Sequence, residues 1–331
     1  MMKWLRNLSW PLSVLFGWVV LLRNKCYDRG WLSSRAYQVP ILCVGNLSIG
    51  GSGKTPMVEW LLAHLLPEKK VAVLSRGYRR RSSGFQMATQ QSTADQIGDE
   101  PLQIARKFPE AKVAVDANRQ RGIEKLVSME SPEVILLDDA FQHRKVRPYR
   151  SVLLTAWDEL YTEEAYLPAG NLRDHRSQAR RADLIVVTKC PSGLTGHEKE
   201  KICKRLKPAE GQEIVFAYLC YGSPRDERGQ SFPLEDLLKQ RITVVTGIAR
   251  PAPLLEYLGS LGVRFEHVSF ADHHHFTEKD LRRFQGKNPV LTTEKDAVRL
   301  EGKLGRFWVL PVQHCFAPEE EAVMQRFLRQ F

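Results

Sequence analysis

Between Val44 and Thr55 the chain reads Val-Gly-Asn-Leu-Ser-Ile-Gly-Gly-Ser-Gly-Lys-Thr. Glycines let several backbone N–H groups converge on one anion, and a helix opening at the lysine adds the positive end of its dipole. Ser48, Ile49, Gly50, Gly51, Ser52 and Gly53 therefore form a candidate cradle for phosphate. Lys54 would supply a mobile charge for the outer phosphates, and the Thr55 hydroxyl a contact for Mg²⁺. The strict pattern has a glycine where Ser48 stands. Ile49 occupies the place of a second lysine found in some dimeric ATPases, which argues against that subgroup.

Four other clusters carry chemistry. Asp138 and Asp139 follow the apolar run Val134-Ile-Leu-Leu, which suits a buried strand delivering a carboxylate to a phosphate-bound cation. Gln142 and His143 come next; His143 either places a phosphate oxygen or metal-bound water, or hydrogen-bonds one of the aspartates. In Gly98-Asp99-Glu100-Pro101 the proline suits a first helical position. Asp99 is then either an N-cap or a general base for a hydroxyl acceptor. In Asp272-His273-His274-His275 the alternation of an extended chain prevents three rings from reaching one ion, so one functional histidine with two solvated neighbours is expected. A histidine paired with a carboxylate such as Asp99 would be a proton relay. The arginine clusters around Arg76 and from Arg173 onward are either solvated faces or seats for an anionic headgroup.

Positioning these groups takes strands that end where the polar residues begin. Pro40–Val44, Val71–Leu74, Lys112–Val115, Val134–Leu137, Ser151–Ala156 and Ala182–Thr188 read as strands. Helices are expected from Lys54 to about Leu66, over Pro101–Phe108 and over Arg119–Met129. Alternation with apolar strands predicts a mostly parallel sheet covered by helices, with ligands beyond the C-terminal strand ends. A stretch rich in Gly, Ser, Pro and Arg, Tyr218 to Pro233, reads as a linker. Beyond it come strands at Ile242–Thr246, Phe265–Phe270, Val290-Leu291 and Phe307–Leu310, and helices at Pro253–Leu261, Glu278–Phe284 and Pro318–Gln330. The expected division is residues 1–25 as an interfacial helix, 26–220 as a P-loop kinase domain and 221–331 as a smaller α/β domain, whose last helix is free to pack back on the first.

The 331 residues are 43% hydrophobic and 26% charged, an ordinary globular balance, and the net charge of +11 favours an anionic partner. Nucleic acid is not expected, since no aromatics interleave with the basic clusters and no recognition module is present. Six scattered cysteines without CxxC pairs read as reduced thiols of a cytosolic protein. From Arg6 to Arg23 no charge occurs. At ~1.5 Å per residue the stretch spans roughly 24 Å, short of a ~30 Å hydrocarbon core, and Pro11 and Gly17 interrupt it. It reads as an interfacial helix, with tryptophans at headgroup level and Lys3, Arg6, Arg23 and Lys25 on anionic lipid. A helix that merely packs on the domain is the alternative.

Taken in order, these segments resemble the tetraacyldisaccharide 4′-kinases of lipid A biosynthesis. The resemblance runs through the phosphate loop with Pro56, Ser75-Arg-Gly-Tyr78, Gly98-Asp-Glu-Pro101, Asp138-Asp-Ala-Phe-Gln-His143, Leu167-Pro-Ala-Gly170 with Leu172-Arg173, Gly247-Ile-Ala-Arg-Pro251, Asp272-His-His274 and Thr293-Glu-Lys-Asp-Ala-Val298. It implies a P-loop NTPase-like fold with a second smaller α/β lobe and an apolar N-terminal helix, on the cytoplasmic face of the inner membrane. The implied reaction moves the γ-phosphate of ATP, with Mg²⁺, to the 4′-hydroxyl of lipid A disaccharide 1-phosphate; the expected protein is a monomer resting on anionic lipid. Asp99 would be the base assisted by His273, with Lys54 and Asp139 completing the catalytic set. Thr55, Asp138 and Gln142 would serve the metal, and Glu100, His143, Arg76, Arg173 and Asp174 would support. Two departures stand out. Ala140 replaces a glycine of the pattern, so the backbone there must avoid positive φ, and Asp174 replaces a glutamate. A P-loop switch or motor ATPase acting on a protein partner is the rival reading.

Overall fold

A computed structural model describes residues 9–226, 228–284, 286 and 289–331. Lys3, Trp4, Leu5 and Arg6 of the expected interfacial segment lie outside the described residues. The first helix, α1 (Trp10–Asp28), precedes β1 (Ile41–Asn46), α2 (Lys54–Leu65), β2 (Val71–Ser75), β3 (Gln86–Met87) and α3 (Ala94–Ile97). Then come α4 (Asp99–Lys107), β4 (Lys112–Val115), α5 (Arg119–Glu130), β5 (Val134–Asp138), β6 (Arg150–Ala156), β7 (Leu184–Thr188), α6 (Gly196–Leu206) and β8 (Glu213–Tyr221). The rest comprises β9 (Ile242–Thr246), α7 (Ala252–Ser260), β10 (Phe265–Ser269), α8 (Glu278–Leu281), β11 (Val290–Thr293), α9 (Glu294–Leu300), β12 (Trp308–Leu310), β13 (Val312–Phe316) and α10 (Pro318–Leu328).

Nine strands form one sheet in the order β13-β8-β7-β6-β1-β5-β2-β4-β3, and four form another in the order β10-β9-β11-β12. Pairing is parallel throughout except at the two edges of the large sheet, β13 on β8 and β3 on β4. The β1 side chains alternate between two cores: Ile41 and Cys43 join Leu74, Ile135 and Leu137 on one face, while Leu42 and Val44 join Met57, Leu61 and Leu136 on the other. Burial on both faces is why these strands read as unbroken apolar runs.

Two expectations fail at the edge. The stretch from Tyr218 is not all linker, because β8 runs to Tyr221 and pairs with β13, a strand the sequence reading lacked. The cysteines are not all reduced. That pairing brings Cys220 and Cys315 to 5.9 Å between Cα atoms, and they form a disulfide; Cys26, Cys43, Cys190 and Cys203 are free. After β13 the chain stays with the large sheet, and α10 buries Met324, Phe327 and Leu328 in the core that holds Leu42 and Val44. The helix expected to reach Phe284 ends at Leu281.

The small residues of α1 face inward. Ser13 accepts from the Ala169 N–H at 2.9 Å, Gly17 lies against Tyr166, and buried Asn24 donates to Asp174 at 2.7 Å. Trp10, Leu12, Leu15, Trp18, Val19 and Leu22 stay exposed, as does Trp31 beyond the helix. Among the described residues no helix is long and apolar enough to cross a membrane.

Candidate active site

The phosphate loop leaves β1, the strand between β5 and β6, at its C-terminal end. Gly53 stands at the helix N-cap with φ of +83°, and no side chain caps α2, so its first N–H groups remain for an anion. The loop's carbonyls are tied off on the far side. Thr188 Oγ donates to Ser52 O at 2.9 Å, and His314 Nε2 donates to Gly53 O at 2.9 Å. Burial pushes the His314 pKa down to about 4, which keeps the ring neutral. A Cβ on Gly53 would sit 2.7 Å from His314 Nε2, so glycine is needed for space as well as for φ. Asn46 Nδ2 donates to Ser52 Oγ at 2.8 Å, and the Ile49 N–H donates to Asn171 O at 2.7 Å. Sequence reading assigned neither Asn46 nor His314 a role. Asn46 was quoted only within a motif, and His314 lies on the strand that was missed.

The two aspartates after β5 diverge. Asp138 is buried opposite Val44 of β1 and accepts from Ser75 Oγ at 3.0 Å. Burial, then Glu100 and Asp139, raise its pKa to about 7. Asp139 takes the positive φ, +48°, that Ala140 avoids. Burial raises its pKa, but Lys54, with Nζ 3.8 Å away, and Arg173, bonded through both nitrogens, outweigh this and hold it below the usual carboxylate range. Asp139 is thus committed to cations, while Asp138 keeps an oxygen for another partner. Gln142 Nε2 donates to Asn46 O at 2.7 Å. His143 makes no described hydrogen bond to either aspartate; its Nε2 is buried without a partner among the described residues, and burial followed by Arg119 lowers its pKa to about 4. Asp174 is fully buried, bound to Asn24 and 3.9 Å from Arg181. Arg76 is exposed.

These oxygens fit Mg²⁺. The metal typically takes one or two carboxylates, substrate phosphate and water, and Asp138 with the Thr55 hydroxyl offers such a partial set. Burial and the neighbouring carboxylates Glu100 and Asp139, which raise the Asp138 pKa, make this corner of the site one where a cation would relieve charge. Among the described residues there is no all-protein cage of three or more His, Cys, Asp or Glu.

Asp99 begins α4 after Gly98, whose φ of +91° sets the entry. Across from it His273, itself at φ +59°, places Nδ1 2.8 Å from Asp99 Oδ2. Arg299 of α9 reaches the same oxygen at 2.7 Å. Burial opposes ionisation, but bonds from His273 and Arg299 hold the Asp99 pKa at about 2. His274 is not a solvated neighbour: it stacks on Phe270 and bonds Asp280 at 2.9 Å. Sequence reading gave Lys295 no catalytic role, only a place in a stretch, Thr293 to Asp296, offered as a contact for the nucleotide base. Arg299, one residue beyond the motif that ends at Val298, had no role at all.

The parallel sheet, the phosphate loop after its central strand and the carboxylates on the neighbouring strand end define a P-loop kinase. The model of the tetraacyldisaccharide-1-P 4′-kinase family, LpxK, matches residues 5–331. The tetraacyldisaccharide 4′-kinase of Flavobacterium johnsoniae is 41% identical over 97% of this chain and 95% of its own length. That of Bacteroides thetaiotaomicron is 44% identical over 90% and 83%. The crystal structure of LpxK from Aquifex aeolicus in complex with ATP superposes with a TM-score of 0.79 at 30% identity, covering 98% of both chains. The chain belongs to the tetraacyldisaccharide 4′-kinase family.

Proposed function

We propose that this kinase transfers the γ-phosphate of ATP to the 4′-hydroxyl of a tetraacylated glucosamine disaccharide 1-phosphate. The observation that carries the reading is the Asp99–His273 pair at 2.8 Å. It joins the start of α4 to the segment after β10, and its neighbour Glu100 acts on Asp138, the carboxylate at the end of β5 beside the phosphate loop. Backbone N–H groups of Gly50, Gly51 and Gly53, with Lys54, hold the triphosphate, while the expected N–H groups of Ile49 and Ser52 are instead spent on Asn171 O and Gly50 O. Asp139, itself held by Arg173, orients Lys54, and Asp138 with Thr55 would serve Mg²⁺, with Gln142 beside them. Bound there, the metal would neutralise charge on the β- and γ-phosphates. Asp99 accepts the acceptor's hydroxyl proton, and both protein donors on Oδ2 leave Oδ1 to face that hydroxyl.

The outward apolar face of α1 lies in the interfacial zone of an anionic bilayer, on the cytoplasmic side where ATP is available, and brings the monomer to its embedded acceptor. Purified protein with radiolabelled ATP and the disaccharide precursor in detergent micelles should label the lipid and release little phosphate without it. Steady ATP hydrolysis with no lipid and no lipid labelling would favour a switch or motor ATPase instead.

A further inference from the structure

We propose that α9 supplies two positioning cations for the Asp99–His273 pair: Arg299, which fixes the carboxylate through Oδ2, and Lys295, which fixes the tautomer of the ring through Nε2. The inference rests on the reading of Asp99 as the base. Lys295 Nζ lies 3.0 Å from His273 Nε2. An ammonium only donates, so Nε2 must carry its lone pair, and the ring proton sits on Nδ1, where it points to Asp99 Oδ2. Arg299 approaches that oxygen at 2.7 Å and is itself held by Asp296 at 3.1 Å; both side chains are almost wholly buried. Asp296 is anchored in turn by the Gly247 N–H at 2.9 Å and Thr293 Oγ at 2.9 Å. Two further groups face the ring nitrogens: Asp272 Oδ2 lies 3.8 Å from Nε2, farther than Lys295, and Arg299 Nη2 passes 3.3 Å from Nδ1 on its way to the closer Asp99 oxygen. Asp272 is also 3.2 Å from Lys295 and Glu100 3.9 Å from it; Tyr78 packs edge-on and Arg79 binds the carbonyls of Asp272 and His273.

Two donors on one carboxylate oxygen weaken a base but allow it a single orientation. For phosphoryl transfer that exchange is favourable, because the loose transition state asks the protein for position and charge more than for proton affinity. It also makes α9 the element through which the smaller sheet's placement reaches the chemistry.

Nitrogen-15 NMR of selectively labelled histidine in the full chain tests this. The wild-type His273 ring should show one neutral tautomer, protonated at Nδ1; a ring protonated at Nε2 at pH 7.5 overturns the proposal. Lys295→Met should mix the tautomers and lower kcat at least tenfold with the KM for ATP unchanged, whereas Lys295→Arg, which like lysine only donates, should restore both. A Lys295→Met enzyme with wild-type kcat, or with reduced kcat and an unaltered His273 spectrum, also overturns it. Asp99→Asn is assayed alongside. If it is inactive while Lys295→Met is normal, only this inference falls; if Asp99→Asn itself turns over normally, the base assignment falls first.

Discussion

Asp138 and Asp139 are sequence neighbours with opposite ionisation behaviour, and the cause is which partners each meets. Asp139 faces Lys54 and Arg173; Asp138 faces burial, Glu100 and Asp139. Raised to about 7, Asp138 is partly protonated at neutral pH, and a divalent cation binds only the carboxylate. Binding of Mg·ATP at pH 7 should therefore expel protons, and affinity should rise as pH climbs through about 7. Calorimetry in buffers of different ionisation enthalpy reads this directly; heats independent of buffer between pH 6 and 7 would contradict it. The sign is reversed at Asp99. Its folded pKa of about 2 lies below the ordinary carboxylate value, so its stabilising contribution is present above about pH 4 and is lost as pH falls toward 2. Asp99→Asn should thus narrow the stability difference from wild type as unfolding is followed from pH 6 to pH 3. The possibility of this pair was legible from residue type alone. The choice of His273 over its neighbours came from the family resemblance and not from residue type, since it depends on a positive φ and on contacts with α4 and α9.

At the scale of elements, α2, α4 and α9 meet at a buried ion cluster. Glu59 accepts from Gln103 and Lys107, both at 2.7 Å, and Lys107 also bonds Glu294 at 2.8 Å. Burial, then Glu294, raises Glu59 to about 7 despite Lys107. Lys107→Met leaves two close carboxylates without their cation and should cost about 3 kcal/mol at pH 8 by urea unfolding. The loss should shrink at pH 5.5, where Glu59 takes a proton; an equal loss at both values would show that charge is not the cause. The α1 surface makes a separate prediction. Leu15 and Leu22 are exposed, so Leu15→Glu and Leu22→Glu should leave the melting temperature alone. Each should reduce binding to anionic vesicles roughly tenfold or more, from about 1.5–3 kcal/mol per buried apolar side chain; undiminished flotation with vesicles would remove this face from the membrane. An inner strand such as β9 was readable to the residue because both faces are buried. The edge pair β8–β13 was not, since Pro311 and Pro318 bracket a short polar-apolar strand whose partner lies some 95 residues earlier.

Across the whole molecule, the smaller sheet contributes the histidine and both α9 cations, while the large sheet carries the phosphate loop and the aspartates. Arg250 joins the two sides through Asp158 at 3.2 Å and Glu159. Chemistry therefore depends on elements remote in sequence, which is why local motifs located the groups but not their wiring. The net charge of +11 suits both an anionic bilayer and a phosphorylated acceptor. The central claim is that Asp99 receives the acceptor's proton beside a nucleotide held independently by the phosphate loop. Single-turnover transfer of labelled γ-phosphate to the lipid disaccharide, with ATP affinity measured on the same preparation, separates the two functions. Asp99→Ala should lose at least two orders of magnitude in rate, within the usual range for general-base catalysis, while binding ATP as the wild type does. Wild-type transfer by that variant would contradict the account.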